Sequence, residues 1–140
     1  MEHSSTKPLS FLIIDDDPDD QEIFCSAIHE VVPGCICQTV NDAQQLIAHM
    51  EIIQQTPDTI FVDINMPKMD GFQFLRHARN NSRLRDVKIV LMSTSNSIDD
   101  KRKAEMLGAN AFITKTNTYK ELCEALNKYL VHMDERKSDQ

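Results

Sequence analysis

Five short apolar or β-branched runs alternate along this chain with longer stretches of helical periodicity, and nothing else in the sequence restricts the fold as much. The runs occupy residues 9–14, 36–40, 59–62, 87–92 and 111–113. Between the first two, Ile23, Phe24, Ala27, Ile28 and Val31 recur at helical spacing, and Ala43, Leu46, Ile47 and Met50 do so in the next interval. Phe72, Phe74, Leu75 and Ala78 mark a third helix after "MDG". Tyr119, Leu122, Cys123, Leu126, Tyr129 and Leu130 form the clearest stripe, at steps of three and four. Only the fourth helix, around residues 98–107, is thinly patterned. Its Ile98, Ala104, Met106 and Leu107 are interrupted by Asp99, Asp100, Lys101, Arg102 and Lys103, so it should be loosely held. A β-α unit repeated five times implies a parallel sheet covered on both faces, because each crossover returns the chain to the same end through a helix. The near-continuous apolar runs "IFVDI" and "KIVLM" suit strands buried on both sides. In such a doubly wound α/β sheet, ligands bind at the carboxyl ends of the strands.

The strand ends are where the acids gather. "FLIIDDDPDD" runs from four apolar residues into five carboxylates. Asp17 precedes Pro18 and reads as a helix N-cap, with proline at the first helical position where its missing N–H costs nothing. Asp19 and Asp20 fall in the first turn, at the positive end of the helix dipole. Asp15 and Asp16 have no such use. Two adjacent carboxylates at a concave edge raise each other's pKa unless a cation neutralises them. Asp63 ends the third strand, which a doubly wound sheet sets beside the first. Three carboxylates with no histidine or cysteine nearby suit Mg²⁺ rather than zinc. The fourth strand ends in "VLMSTS", bringing Ser93 and Thr94 to the same edge, and the fifth ends in "AFITKT", bringing Lys115. A metal, a hydroxyl and an ammonium around one carboxylate can hold a phosphoryl group while the carboxylate attacks it.

Composition narrows the function classes. Fifteen basic and 22 acidic residues give a formal charge of −7, which repels nucleic acid and anionic membranes, so neither is expected as a partner. No apolar run approaches the roughly 18–20 residues that cross a bilayer, and "MEHSSTKPLS" has no apolar signal core, which points to the cytoplasm. Cys25, Cys35, Cys37 and Cys123 lack paired C-x-x-C spacing and read as buried or idle thiols, with a redox role left open.

The set Asp15, Asp16, "DINMPKMDG" around Asp63, Ser93, Phe112 and Lys115 closely resembles the receiver domain of two-component response regulators, the flavodoxin-like fold of the chemotaxis-type signalling proteins. The resemblance covers residues 9–131, leaving 1–8 as an N-terminal extension and 132–140 as a charged tail. It implies five parallel strands in the order 2-1-3-4-5. It also implies that Asp63 accepts a phosphoryl group from a phosphohistidine on a sensor histidine kinase or histidine phosphotransfer protein. Asp16, Asp63 and the backbone carbonyl of Asn65 would contact Mg²⁺ directly, with Asp15 acting largely through water. Ser93 and Phe112 would switch, repacking the face of the fourth helix, fifth strand and fifth helix for a downstream protein target or a weak dimer. Asn65 and Ser95 would tune dephosphorylation.

The chain departs from the family at "KTN", where proline usually follows the lysine. Thr116 makes a cis bond cost about 2.5–4 kcal/mol, so a trans bond is expected there. "VHMDERKSDQ" is too short and too charged for an output domain, which suggests a stand-alone receiver acting through protein contacts. The phosphoryl group could also pass to a second histidine protein. A Mg²⁺-dependent phosphatase is disfavoured because Asn65 stands where those enzymes commonly place an acid/base aspartate. The chain is therefore expected to catalyse only its own phosphorylation and dephosphorylation. A flavin site is disfavoured because "DDDPDD" would repel a phosphate.

Overall fold

The computed structural model describes residues 8–50, 55–115 and 118–138, with side chains as far as Leu130. Strands and helices alternate as β1 (Ser10–Ile14), α1 (Pro18–Val31), β2 (Ile36–Val40), α2 (Ala43–Met50), β3 (Thr59–Asp63), α3 (Gly71–Arg79), β4 (Lys88–Ser93), α4 (Ile98–Met106), β5 (Ala111–Thr114) and α5 (Tyr119–Ser138). The sheet has the order β2-β1-β3-β4-β5 and every pairing is parallel, as the alternation and the resemblance require. The bond between Lys115 and Thr116 lies outside the described residues.

Side-chain alternation splits the core in two. Phe11, Ile13, Phe61, Val90, Met92 and Ile113 face α1 and α5, whereas Leu12, Ile14, Ile60, Val62, Ile89 and Leu91 face α2, α3 and α4. On the first face, the rings of Phe24 and Phe61 lie 5.1 Å apart and Tyr129 meets Phe61 edge-on at 6.2 Å. Burying each such aromatic contributes about 1.5–3 kcal/mol. The Tyr119 hydroxyl donates to Glu30 Oε1 at 3.1 Å, tying α5 to α1. Ile23 and Tyr119, both read as members of apolar stripes, are 49% and 42% exposed. They sit at the margins of their stripes, which periodicity alone does not separate from the centre.

Local chemistry explains where the helices start. Asp17 caps α1, its Oδ1 accepting the Asp19 N–H at 2.9 Å, with Pro18 following. Asp70 and Gln73 form a reciprocal capping box on α3. Ser97 caps α4, yet Ala104 is that helix's only buried residue among those described, as the thin pattern predicts. At its far end, Arg79 donates from Nη2 to the Gly108 carbonyl at 2.8 Å and from Nη1 to the Val87 carbonyl at 2.9 Å. α5 runs on to Ser138, through most of the segment read as a tail.

Candidate functional site

The parallel register brings four strand ends to one edge. Ile14 pairs with Val62, Asp63 with Met92, and Ser93 with Thr114, so the residues that follow emerge side by side. Two bonds beyond the ladder keep this edge closed. Ile64 N–H donates to the Met92 carbonyl at 2.9 Å and Lys115 N–H to the Ser93 carbonyl at 2.7 Å. Ser93 belongs to β4, one residue beyond the strand end read from sequence.

Lys115 gathers the acids. Its Nζ donates to Asp15 Oδ2 and Asp63 Oδ2, each at 2.9 Å, and to Asp20 Oδ2 at 3.1 Å. The remaining oxygens are also held: Asp15 Oδ1 accepts the Asp17 N–H at 3.0 Å, and Asp63 Oδ1 accepts the Asn65 N–H at 2.9 Å. Asp15 and Asp63 are buried and Asp16 is exposed, and ligand oxygens of the three lie within 4.8 Å of one another. Gln21 braces the loop from behind, donating through Nε2 to the Asp15 carbonyl at 2.5 Å and to Asn41 Oδ1 at 3.1 Å.

The electrostatics follow from this packing. Desolvation is the largest influence on Asp15 and pushes its carboxyl above the ordinary aspartate value. The Lys115 and Asp17 hydrogen bonds oppose the rise, and the Asp63 charge adds to it. Burial works against the Lys115 ammonium, but the hydrogen bonds and charges of Asp15 and Asp63 outweigh it, and its pKa is raised. One ammonium bonds Asp15, Asp20 and Asp63, and Asp16 adds a fourth carboxylate beside them, so negative charge remains uncompensated. These all-oxygen donors, one of them open to solvent, fit a hard divalent cation.

Other residues singled out from sequence sit nearby in different roles. Ser93 is fully buried, and its Oγ accepts the Ser95 N–H at 3.0 Å, leaving its own O–H to donate elsewhere. Ser95 and Asn65 are exposed, and Ser95 Oγ accepts the Ser97 N–H at 3.2 Å. Phe112 is half-buried against the core beneath α4.

Besides Gln21, two contributors escaped the sequence reading. Asp20 has a first-turn position, which accounted for it fully until its carboxylate was found on Lys115. Gly71 lies where a Cβ would come within 2.8 Å of Ile64 Cα and 3.0 Å of the Asp63 carbonyl oxygen. Its missing side chain lets α3 start against the backbone that carries Asp63. The glycine of "MDG" was the only available signal, and it read simply as a helix start.

A parallel, doubly wound sheet with carboxylates and a lysine at its carboxyl edge defines a class of α/β proteins whose ligands bind at that edge. The particular family is given by comparison: residues 11–127 match the response regulator receiver domain, and the chain belongs to that family. It is 29% identical over 122 residues to Protein PilG of Pseudomonas aeruginosa, covering 87% of each chain. Against the transcriptional regulator RpaA of Synechocystis it is 28% identical and spans 49% of that protein. Among solved structures, the phosphorylated cyanobacterial phytochrome response regulator RcpA superposes with a TM-score of 0.77 at 25% identity, covering 88% of this chain and 91% of that one. The chemotaxis protein CheY4 of Vibrio cholerae gives 0.73 at 23% identity, covering 87% and 98%. The flavodoxin-like fold expected from the sequence is thus the observed one. No described helix is long and apolar enough to cross a membrane.

Proposed function

We propose that this protein is a phosphoacceptor of two-component signalling, phosphorylated on Asp63 by a partner carrying phosphohistidine. The observation that carries the reading is the Lys115 ammonium bridging Asp63 and Asp15, with Asp16 completing an acidic cluster beside it. An Asp63 carboxylate oxygen attacks the phosphorus as the bond to the histidine nitrogen breaks, and that nitrogen leaves with the electron pair. Lys115 is placed to follow the transferred group, exchanging a carboxylate for a phosphoryl oxygen, while the Ser93 hydroxyl is free to donate to another. Asp15, Asp16, Asp63 and the Asn65 carbonyl would hold Mg²⁺, whose charge offsets the repulsion between an acidic pocket and an incoming phosphoryl group. A Mn²⁺-bound form of the response regulator Rcp1, similar in fold at TM-score 0.74, supports a divalent cation at such a pocket.

The readout we assign to α4, β5 and α5. α4 has little buried surface to resist displacement, and Phe112 packs beneath it, so a charge change at Asp63 can be relayed to this face through Ser93 and Phe112. The chain processes no outside substrate in this reading. It acts in the cytoplasm, receiving the phosphoryl group from a histidine kinase or phosphotransfer protein and controlling a downstream protein. Asn65 and Ser95 set how water reaches the phosphorylated state.

Beryllium fluoride with Mg²⁺, a phosphoryl mimic, provides the test. Backbone amide resonances of Ser93, Phe112 and α4 should shift on addition, and Asp63→Asn should abolish the shifts. Shifts confined to the residues next to Asp63 would defeat the relay.

A further inference from the structure

Cys25 lies on α1 and Cys37 on the edge strand β2, and the fold brings their sulfurs to 2.6 Å. That is inside the van der Waals separation of unbonded sulfurs and about half an ångström beyond a disulfide's bonded length of about 2.05 Å. We propose that Cys25 and Cys37 form a reversible dithiol–disulfide site, oxidised by small-molecule disulfides, that staples α1 to the edge of the sheet.

Placement favours this pair over the other thiols. All four cysteines are free, but Cys35 is buried with its Sγ facing His29 Nδ1 at 3.6 Å and Cys123 is half-buried on α5, whereas the half-buried Cys25 and Cys37 meet sulfur to sulfur. β2 is an edge strand of the sheet, with most of its residues open to solvent, and the two half-buried sulfurs meet beside it, where a small oxidant can approach the pair without unfolding the core. Burial is the largest influence on the Cys37 thiol and, with the Cys25 neighbour, holds its pKa well above the ordinary value. With its own thiolate disfavoured, Cys37 serves as the resolving thiol, and the half-buried Cys25 makes the first attack.

The chemistry balances with a disulfide as oxidant. The Cys25 thiolate attacks one sulfur of oxidised glutathione and expels one glutathione thiolate, leaving a mixed disulfide on Cys25. Cys37 loses its proton to water, attacks Cys25 Sγ and expels the second glutathione. Two protein thiols become one disulfide, and one oxidised glutathione becomes two reduced ones. The staple lies on the α1 side, away from α4, and does not depend on phosphorylation.

The test uses the full chain, reduced, freed of reductant, exposed natively to oxidised glutathione and then blocked with N-ethylmaleimide. Digestion after glutamate cuts at Glu30 and separates Cys25 from Cys35 and Cys37. A peptide pair joined through Cys25 and Cys37 is expected in the parent and in Cys35→Ser, with reactive thiols reduced by two of the four. Cys37→Ser should stop at the glutathione adduct on Cys25. Should that variant fold poorly, fragmentation between Cys35 and Cys37 in the parent peptide locates the bond directly. Linkage through Cys35, glutathione adducts without a cross-link, or no reaction at all would overturn the proposal, leaving a hydrogen-bonded thiol pair only.

Discussion

α1 and α4 are both capped helices on the same sheet, yet they are held very differently. α1 buries Gln21, Phe24, Ala27 and Ile28, starts on an Asp-Pro cap, and sends Asp20 to Lys115 and Gln21 to the loop behind Asp15. α4 buries Ala104 alone and exposes Ile98 at 65% and Met106 at 86%. Its further attachments are the Lys103 ammonium 4.4 Å over the Phe72 ring and the Arg79 bonds to Gly108 at its end. The difference assigns roles. In the proposed function the α1 side is the frame that positions the acids, and the sparsely buried α4 side is the one that would report on them.

The strongest way to break this contrast is by truncation. Phe24→Ala removes a buried ring from the frame and should cost about 3–5 kcal/mol in urea unfolding, whereas Met106→Ala on α4 should stay within about 0.5 kcal/mol. Similar losses for both would mean that α4 is as firmly packed as α1.

A smaller effect is expected where the frame meets the site. Gly71→Ala forces a Cβ against Ile64 and the Asp63 carbonyl, and should cost about 1–3 kcal/mol. It should also slow phosphorylation of Asp63, measurable with acetyl phosphate. A normal rate with normal stability would show that the close approach is not needed.

Cap removal sharpens the comparison further. Ser97→Ala deletes the side chain that accepts the Asp100 N–H and should cost α4 about 1 kcal/mol. With α4 opening independently of the sheet, hydrogen exchange of its own amides is expected to rise about fivefold while β1 and β3 amides keep their protection. A uniform rise would mean that α4 unfolds only with the whole domain.

The smallest change has the opposite sign. Asp15 has a folded pKa above its unfolded value, so its ionised form opposes folding at neutral pH. Asp15→Asn should therefore stabilise the metal-free protein, and its advantage should shrink as pH falls through the raised pKa and vanish below about 3.9, where Asp15 is protonated in both states. Mg²⁺ should raise the melting temperature of the parent more than that of the variant. A destabilised Asp15→Asn at neutral pH would show that the Lys115 contact outweighs the cost of burial.

Much of this contrast is legible in the sequence because each part leaves a local trace. Buried parallel strands read as apolar runs, Asp17-Pro18 reads as a cap, and the scattered charges of residues 98–107 read as a helix with little to bury. Asp15, Asp16, Asp63, Ser93 and Lys115 are legible because strand ends of a doubly wound sheet share an edge. What stays hidden depends on distance in space. Asp20 has a sufficient local role, and only the fold brings it to Lys115. Gly71 matters through the backbone of Ile64, and the Cys25–Cys37 approach depends on how α1 lies over β2, which the spacing of the two cysteines does not encode.

The central claim is that Asp63 is the phosphoacceptor of a cation-dependent site. Intact mass after incubation with acetyl phosphate and Mg²⁺ tests it most directly, with Asp63→Asn and a chelated sample alongside. One added phosphoryl group on the parent, and none on the variant or without the cation, is the predicted result. Equal addition to Asp63→Asn would place the phosphoryl group elsewhere, and no addition to the parent would contradict the assignment of the site.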